Sequence, residues 1–257
     1  MATPPLRSLK KAMELLTRVA ESGDQRSIST LSAEIGMPRS SAYRIARTFE
    51  RSGLLTRLRR GYYLPGPTLL RLANIGALNR VLAGVGRPIL ESLSKVTGCT
   101  AHLGVFESGM VTYLLKAGRS SSDVFTREGT QLEAYCTGIG KVLLAALPQP
   151  ALEEYLTSGP FIRLTPNTLT DSHALRAALV TVEAQGYATD DAEMDDDLIC
   201  LAVPLRGSDG AVIAALSISM RQANGNANKL LVHLGSLQTA AKVLAGRLAP
   251  SGWLDAG

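Results

Sequence analysis

Between Ser27 and Ser52 the chain reads SISTLSAEIGMPRSSAYRIARTFERS, two short helical patterns separated by a glycine turn. Ser27 is an N-cap residue, Ile28, Leu31 and Ile35 recur at helical spacing, and Gly36 suits the positive φ that stops a helix. Pro38 pre-sets the backbone for a second helix. On that helix Ala42, Ile45 and Phe49 repeat at three and four residues as an inward face, while Arg44, Arg47 and Arg51 repeat on another. One side packs and the other is cationic, the pattern of a helix-turn-helix whose second helix reads a DNA major groove.

Exposed helix faces can carry charge for solubility alone. Here the acidic partners are missing: from Arg39 to Arg51 there are four arginines and one acid, Glu50, so i,i+4 pairing cannot neutralise the face. Double-stranded operator DNA is therefore the expected partner, with Arg39, Ser40, Ser41, Tyr43, Arg44 and Arg47 nearest to it. Downstream, Leu54–Thr56 and Tyr62–Leu64 make a small hairpin through Gly61. Arg57, Arg59 and Arg60 lie toward its tip, where a basic wing touches backbone or minor groove; the bland alternative is an ordinary soluble turn.

The charge is unevenly distributed. Residues 1–80 hold 14 Lys/Arg against 5 Asp/Glu, and the remainder 13 against 17, within an overall net charge of +5. A basic head meets phosphate by releasing counterions, and an acidic body is free for other work. The chain has 257 residues and 46% hydrophobic content, enough for two packed cores. The expected division is a DNA-binding domain over 1–66, a linker helix over 67–84 and a second domain over 85–257. No apolar run reaches the roughly 20 residues of a membrane span and the N-terminus lacks a signal-peptide core, so no membrane partner and a cytoplasmic location are expected. Cys99, Cys136 and Cys200 form no CxxC or Cys/His cluster, so reduced thiols and no metal are expected.

Helix 1 is expected over Ser8–Ser22, with Leu9, Ala12, Met13, Leu16, Val19 and Ala20 as its apolar stripe. Beyond Pro65-Gly66-Pro67 comes the linker pattern of Leu69, Leu72, Ala73, Ile75 and Gly76, then a helix from Val85 to Val96. Strands are expected at Cys99–Phe106 and Met110–Lys116, followed by a long polar loop. Helices are expected after Gly138, over Pro150–Thr157 and over Ser172–Gln185. Two further strands, Leu198–Leu205 and Ala211–Ser219, turn at Asp209-Gly210, and the last helix carries Leu230, Leu234, Leu237, Ala241, Leu244 and Leu248. The fold class is α+β with an antiparallel sheet. Alternation puts Val212, Ala214, Leu216 and Ile218 on a core face, and Ala211, Ile213, Ala215, Ser217 and Ser219 on a face that can line a pocket. Cys200 and Ala202 share a face opposite Ile199, Leu201 and Val203.

The blocks GMPRSSAYRIARTFERSGLL, GYYLPGPTLLRL, TGIGKVLLAAL, GYATDDAE, CLAVPL and AALSIS occur in order along nearly the whole chain. Together they resemble the IclR family of bacterial transcriptional regulators. The resemblance implies a winged helix-turn-helix joined by a linker helix to a GAF-like effector-binding domain, in a homodimer or dimer of dimers. It implies no enzyme activity and no cofactor. The effector would sit beside the helix opening at Thr137-Gly138-Ile139-Gly140-Lys141, under strands contributing Cys200, Ser217 and Ser219, with Asp190 at the rim. A helix N-terminus opening on glycines is a natural carboxylate seat, which points to a small organic acid. Ile139 is bulkier than the commoner family residue there and would narrow or reshape the seat. Tyr113, Phe125, Tyr135 and Arg127 are further candidates for recognising an aromatic or longer acid.

Duller readings stand beside these. Ser217 and Ser219 can bond to neighbouring backbone, Cys200 can be a small apolar residue, and Asp190 opens an acidic run, DDAEMDDD, that can be a solvated loop or weak cation site. That run lacks the sixth-position glycine of a calcium loop. GIGKV is not a P-loop: Tyr135 stands where its first glycine belongs, and Val142 follows Lys141. A thiol enzyme would need Cys136 or Cys200 with His102, His173 or His233, and no local signature pairs them. A ligand-free architectural DNA-binding protein is the other alternative.

Overall fold

The computed structural model describes residues 6–73, 77–118, 124–223 and 226–248. The chain forms two compact units that meet in sequence at Ala77/Leu78. The first holds α1 (Arg7–Ser22), α2 (Ile28–Glu34), α3 (Arg39–Arg51), the hairpin β1 (Leu55–Arg59) and β2 (Tyr62–Pro65), and α4 (Pro67–Ala73). Local chemistry fixes its corners. The Ser27 hydroxyl accepts the Thr30 N–H at 3.2 Å and caps α2. Gly23 and Gly36 take positive φ where α1 and α2 end. The core joins Leu15, Leu16 and Val19 of α1 to Ile28, Leu31, Ala42, Ala46, Leu55 and Tyr63. Leu9 and Met13, expected on the inner stripe of α1, are instead 49% and 47% exposed. Ala20, also expected on that stripe, is exposed as well, and the buried stripe is turned onto Leu15, Leu16 and Val19, which pack with Ile28, Leu31, Ala42 and Ala46.

The second unit contains α5 (Ala77–Thr97), β3 (Thr100–Glu107), β4 (Met110–Ala117), β5 (Gln131–Glu133), α6 (Gly138–Ala145), α7 (Gln149–Thr157), α8 (Ser172–Gln185), β6 (Ala188–Asp191), β7 (Leu198–Arg206), β8 (Val212–Arg221), a 3-10 helix (Ala227–His233) and α9 (Leu234–Leu248). Its antiparallel sheet has the order β5-β4-β3-β8-β7-β6. The fold is mixed α+β, as expected. The helix expected to begin at Val85 begins at Ala77. Residues 74–76, inside the expected linker helix, and 119–123, inside the expected polar loop, lie outside the described residues.

Alternation divides the sheet. On one face Ala101, Leu103, Leu115, Ile199, Leu201, Val203, Leu216 and Ile218 pack with Leu82, Leu90 and Leu93 of α5 and Leu237 and Leu244 of α9. On the other, Tyr113, Ala202 and Ala215 pack with Ile139, Val142 and Leu143 of α6 and Leu175 and Leu179 of α8. Two expected positions change places: Ile213 joins the first core and Val212 the second. The cause is a register shift, since Arg206 pairs with Val212 and Leu205 with Ala214, leaving Ile213 as the extra residue that inverts the alternation.

Helix α6 lies against the chain before it with no space to spare. A Cβ at Gly140 would come within 2.1 Å of the Ala134 carbonyl oxygen, whereas one at Gly138 would find ordinary contacts at 3.4 Å and beyond. Gly140→Ala should therefore cost about 3 kcal/mol or more, or prevent soluble folding, while Gly138→Ala should cost less than about 1 kcal/mol. Urea unfolding of the two variants checks the contrast; equal midpoints would refute it.

Candidate functional site

Two constellations stand out, one in each unit. In the first, Arg39, Ser40, Tyr43, Arg44, Arg47 and Arg51 of α3 line one concavity with Arg57, Arg60 and Ser29. Among the described residues none of its six arginines makes an ion pair, whereas Arg26 is held by Glu34. Six uncompensated guanidinium groups on one concave face form a strong anion attractor. Ser41 and Arg59 do not line it. The Arg59 guanidinium lies over the Tyr62 ring, 4.0 Å from its centroid, so that this arginine is spent on the hairpin itself.

The hairpin tip is locked to both helices of the motif. The Ile28 N–H donates to the Gly61 carbonyl at 2.8 Å. The Tyr43 hydroxyl stands 2.9 Å from where a Gly61 Cβ would lie, and 3.4 Å from the Ser29 hydroxyl. Gly61 also takes a φ of 78°, which itself disfavours a side chain, and any Cβ there would have to displace the Tyr43 hydroxyl.

In the second unit, Asp190, Cys200, Ser217 and Ser219 converge on a small enclosed chamber with His102, Tyr113, Phe125, Thr126 and Thr137. Strand pairing brings them together: Ser217 and Ser219 of β8 face His102 and Thr100 of β3 on one side and Ala202 and Cys200 of β7 on the other, and Cys200 pairs with Asp190 of β6. The cavity volume is about 10 Å³, room for a single water at most. Gly138 and Ile139 do not line it. Gly138 lies behind Cys200, its would-be Cβ 3.5 Å from that residue's Cβ, and Ile139 packs on Gly104 in the core. Ile139 thus fills core space and does not narrow the seat. Tyr135 and Arg127 also lie outside the chamber, whereas Tyr113 and Phe125 belong to it.

Asp190 is 1% exposed, a wall of the chamber and not its rim. The acidic run is no solvated loop at this end: pairing of β6 with β7 draws Asp190 under the sheet. It accepts the Glu193 N–H at 2.8 Å, and Glu193 is itself buried and ion-paired with Lys141 of α6. Burial raises the Asp190 carboxyl to about 7, with Lys141 opposing and Glu193 adding to the rise. The Cys200 thiol is pushed well above its ordinary value by desolvation and then by Asp190, so it is a protonated thiol and a weak nucleophile.

His102 is the central residue that sequence reasoning placed elsewhere, as a possible enzyme partner. Its Nε2 lies 2.7 Å from the Thr126 hydroxyl and its Nδ1 3.4 Å from the Ser219 hydroxyl, with Tyr113 edge-on at 5.2 Å. Burial, and then the nearby Lys116 charge, lower its pKa to about 3, so the ring is neutral at physiological pH. Lys116 was also missed: its ammonium donates to the Val124 carbonyl and, at 2.8 Å, to the Thr126 carbonyl, holding the loop that walls the chamber. The readable signal was the alternation of β3, where Ala101, Leu103 and Val105 face the α5/α9 core and leave Thr100, His102 and Gly104 facing the polar side.

No group of three or more His, Cys, Asp or Glu able to hold a metal occurs among the described residues, and none of their helices is long and apolar enough to cross a membrane.

Comparison with known proteins agrees with this division. Residues 8–59 match the IclR helix-turn-helix domain, and residues 78–245 match the bacterial transcriptional regulator IclR C-terminal domain. The chain is 29% identical over 247 residues to the HTH-type transcriptional regulator XynR of Escherichia coli, covering 95% of this chain and 98% of that one. The crystal structure of the Thermotoga maritima IclR aligns at a TM-score of 0.61 with 28% identity over 95% of this chain and 99% of that one. An IclR homologue from Microbacterium hydrocarbonoxydans, solved with 4-hydroxybenzoate, aligns at 0.60 with 26% identity over 94% and 98%. Two domain matches in the right order, together covering most of the chain, make it a DNA-binding transcriptional regulator and not an enzyme. The chain belongs to the IclR family of bacterial transcriptional regulators.

Proposed function

We propose that this regulator senses a small organic acid, aromatic in character, in the chamber under β3, β7 and β8, and that occupancy alters operator binding by the arginine face. The observation that carries the reading is the chamber's composition: hydroxyls of Thr126, Thr137, Ser217 and Ser219 and the His102 ring converge beside the Tyr113 and Phe125 rings. Hydroxyl and imidazole donors serve a carboxylate, and flanking rings serve an aromatic body. The 4-hydroxybenzoate complex of the Microbacterium homologue supports the ligand class. A ligand of that size enters only when the wall of Val124, Phe125 and Thr126 yields, and Lys116 and His102 are the groups that hold this wall closed. Entry is then a structural event in itself, and a ligand that binds only the opened form shifts the balance between two states.

The division into a head over 1–66, a linker over 67–84 and a body over 85–257 is kept as part of this proposal, although α5 (Ala77–Thr97) runs across its second boundary and the compact units meet at Ala77/Leu78. A homodimer or dimer of dimers, acting in the cytoplasm, presents two recognition helices to a pseudo-palindromic operator. On each, Arg39, Ser40, Ser41, Tyr43, Arg44 and Arg47 approach the bases, and Arg57 and Arg60 approach the backbone, while Arg59 stays stacked on Tyr62.

In a thermal-shift titration, 4-hydroxybenzoate or a close hydroxybenzoate should raise the melting temperature and change operator mobility on a gel. No shift with any aromatic or short-chain acid, with operator binding intact, would favour a ligand-free architectural protein. Arg44→Ala should weaken operator binding by about 1–3 kcal/mol and relax specificity at one base position. Unchanged affinity in a binding isotherm would remove Arg44 from the base-reading set.

Asp190 adds a pH dependence. Two carboxylates closed into one chamber cannot both stay ionised, so an acid effector binds with Asp190 protonated. Lys141, Glu193, Cys200 and Tyr113 are ionisable groups around it; burial and the Glu193 charge favour protonation, while the Lys141 charge and the hydrogen bonds from the Glu193 N–H and the Cys200 thiol oppose it. Effector affinity should be level below Asp190's pKa of about 7. Above it, affinity should fall by up to about tenfold per pH unit, and Asp190→Asn should abolish that slope. The same carboxyl rises on folding from 3.8 to about 7, so its contribution to stability is full below 3.8 and is lost as pH rises toward 7. Urea unfolding of wild type and Asp190→Asn from pH 4 to 8 should show the variant gaining relative stability across that window. A constant difference would show that Asp190 ionises normally.

A further inference from the structure

The second unit has another cavity, on the same side of the sheet as α6 but separate from the chamber. It is a cleft of about 540 Å³ between the β3–β4 turn, α7 and the segment that follows α7. That volume lies within the range of small-molecule sites. Its walls are aromatic. Tyr135 and Phe161 stand 4.9 Å apart between ring centroids, Phe161 and Tyr155 stack at 5.7 Å, and Tyr155 meets Phe106 edge-on at 6.0 Å. The cluster is braced by the Tyr135 hydroxyl, which donates to the Ile162 carbonyl at 2.7 Å.

Two carboxylates, Glu133 and Glu154, join the rings in lining the cleft. No lysine, arginine or histidine lines it, and neither carboxylate makes an ion pair among the described residues. Both Tyr135 and Tyr155 feel the negative charge of Glu133, which adds to the effect of burial in holding their hydroxyls protonated. Ring faces carry negative potential, so rings and carboxylates here point to the same sign of guest. An acid effector is excluded by the same charges, so the cleft cannot serve as a second seat for the ligand of the chamber.

We infer that this cleft is a binding site for a small organic cation, an amine or quaternary ammonium with apolar substituents, held against the half-buried Tyr155 and Phe161 rings, with the buried Tyr135 ring packed behind Phe161 and Glu133 as the counter-charge. The site is independent of the acid-sensing chamber, and a regulator so built reads two chemically opposite ligands.

The probe is choline, compared by isothermal titration with 3,3-dimethylbutan-1-ol, which has the same shape and no charge, on the full-length protein. Choline should saturate one site per chain below about 10 mM, with the neutral alcohol about tenfold weaker, the margin expected of a cation–π contact with a nearby carboxylate. Glu133→Gln should lower that preference several-fold without changing the melting temperature, leaving the part that the rings and Glu154 supply. Phe161→Leu, which keeps apolar bulk and removes the ring, should weaken choline more than the alcohol. Asp190→Asn, which alters only the chamber, should leave the preference intact. Equal binding of the two probes, no binding of either, or a preference unchanged by Glu133→Gln would overturn the inference. So would loss of the preference in Asp190→Asn, which would place choline in the chamber.

Discussion

The sheet of the second unit works as a partition, and the alternation of side chains along β3, β7 and β8 is the constraint on which the rest of that unit depends. Ile199, Leu201, Val203 and Leu205 of β7 and Ala214, Leu216 and Ile218 of β8 enter an apolar core with α5 and α9. Every neighbour in sequence is thereby sent to the opposite side, where α6 and α8 lie. Polar residues there need no separate cause for convergence: His102, Cys200, Ser217 and Ser219 meet because Leu103, Leu201, Leu216 and Ile218 are buried behind them. The apolar face supplies the free energy, and the polar face receives its geometry from it.

The first unit obeys a different economy. Its core is small, and the helix that carries the arginines buries only Ala42 and Ala46 fully, with Ile45 and Phe49 half-buried beside them. Small residues bring α3 close to α1 and α2, which leaves its long cationic side chains outside. Concentrating like charges this way is unfavourable in the free protein, and the missing acids mean that only an external polyanion relieves it. The body carries no such excess, so the electrostatics of the two units separate their tasks.

Much of this was legible in the sequence, because the governing patterns are local. The Ser27 cap, the Gly36 turn, the Arg44/Arg47 stripe and the hairpin at Asp209-Gly210 are each set within a few residues. The pocket face of β8 followed from period two alone, at Ser217 and Ser219. What escaped depended on register or on distant partners. The inversion at Val212 and Ile213 arises from one unpaired residue, which no apolar pattern marks. The exposure of Leu9 and Met13 follows from which face of α1 meets the distant Ile28, Leu31, Ala42 and Ala46. Asp190 looked like surface because acids follow it, yet β6, a four-residue strand the sequence reading did not identify, carries it beneath the sheet. Glu133, Tyr155 and Phe161 come from three separate segments, and no spacing rule connects them.

The Gly61 junction bears on how the head meets its target. One backbone carbonyl ties the wing to the start of α2, and the same residue admits the Tyr43 phenol of α3 where any side chain would stand. Wing, positioning helix and reading helix therefore meet at one residue, a junction that would restrain their relative movement. A stiff frame spends little conformational entropy when it docks, and it does not remould itself around a poorly shaped duplex. With such a frame the burden of adjustment would pass to the DNA, and base pairs the protein never touches would influence affinity through the ease with which they bend and narrow their groove.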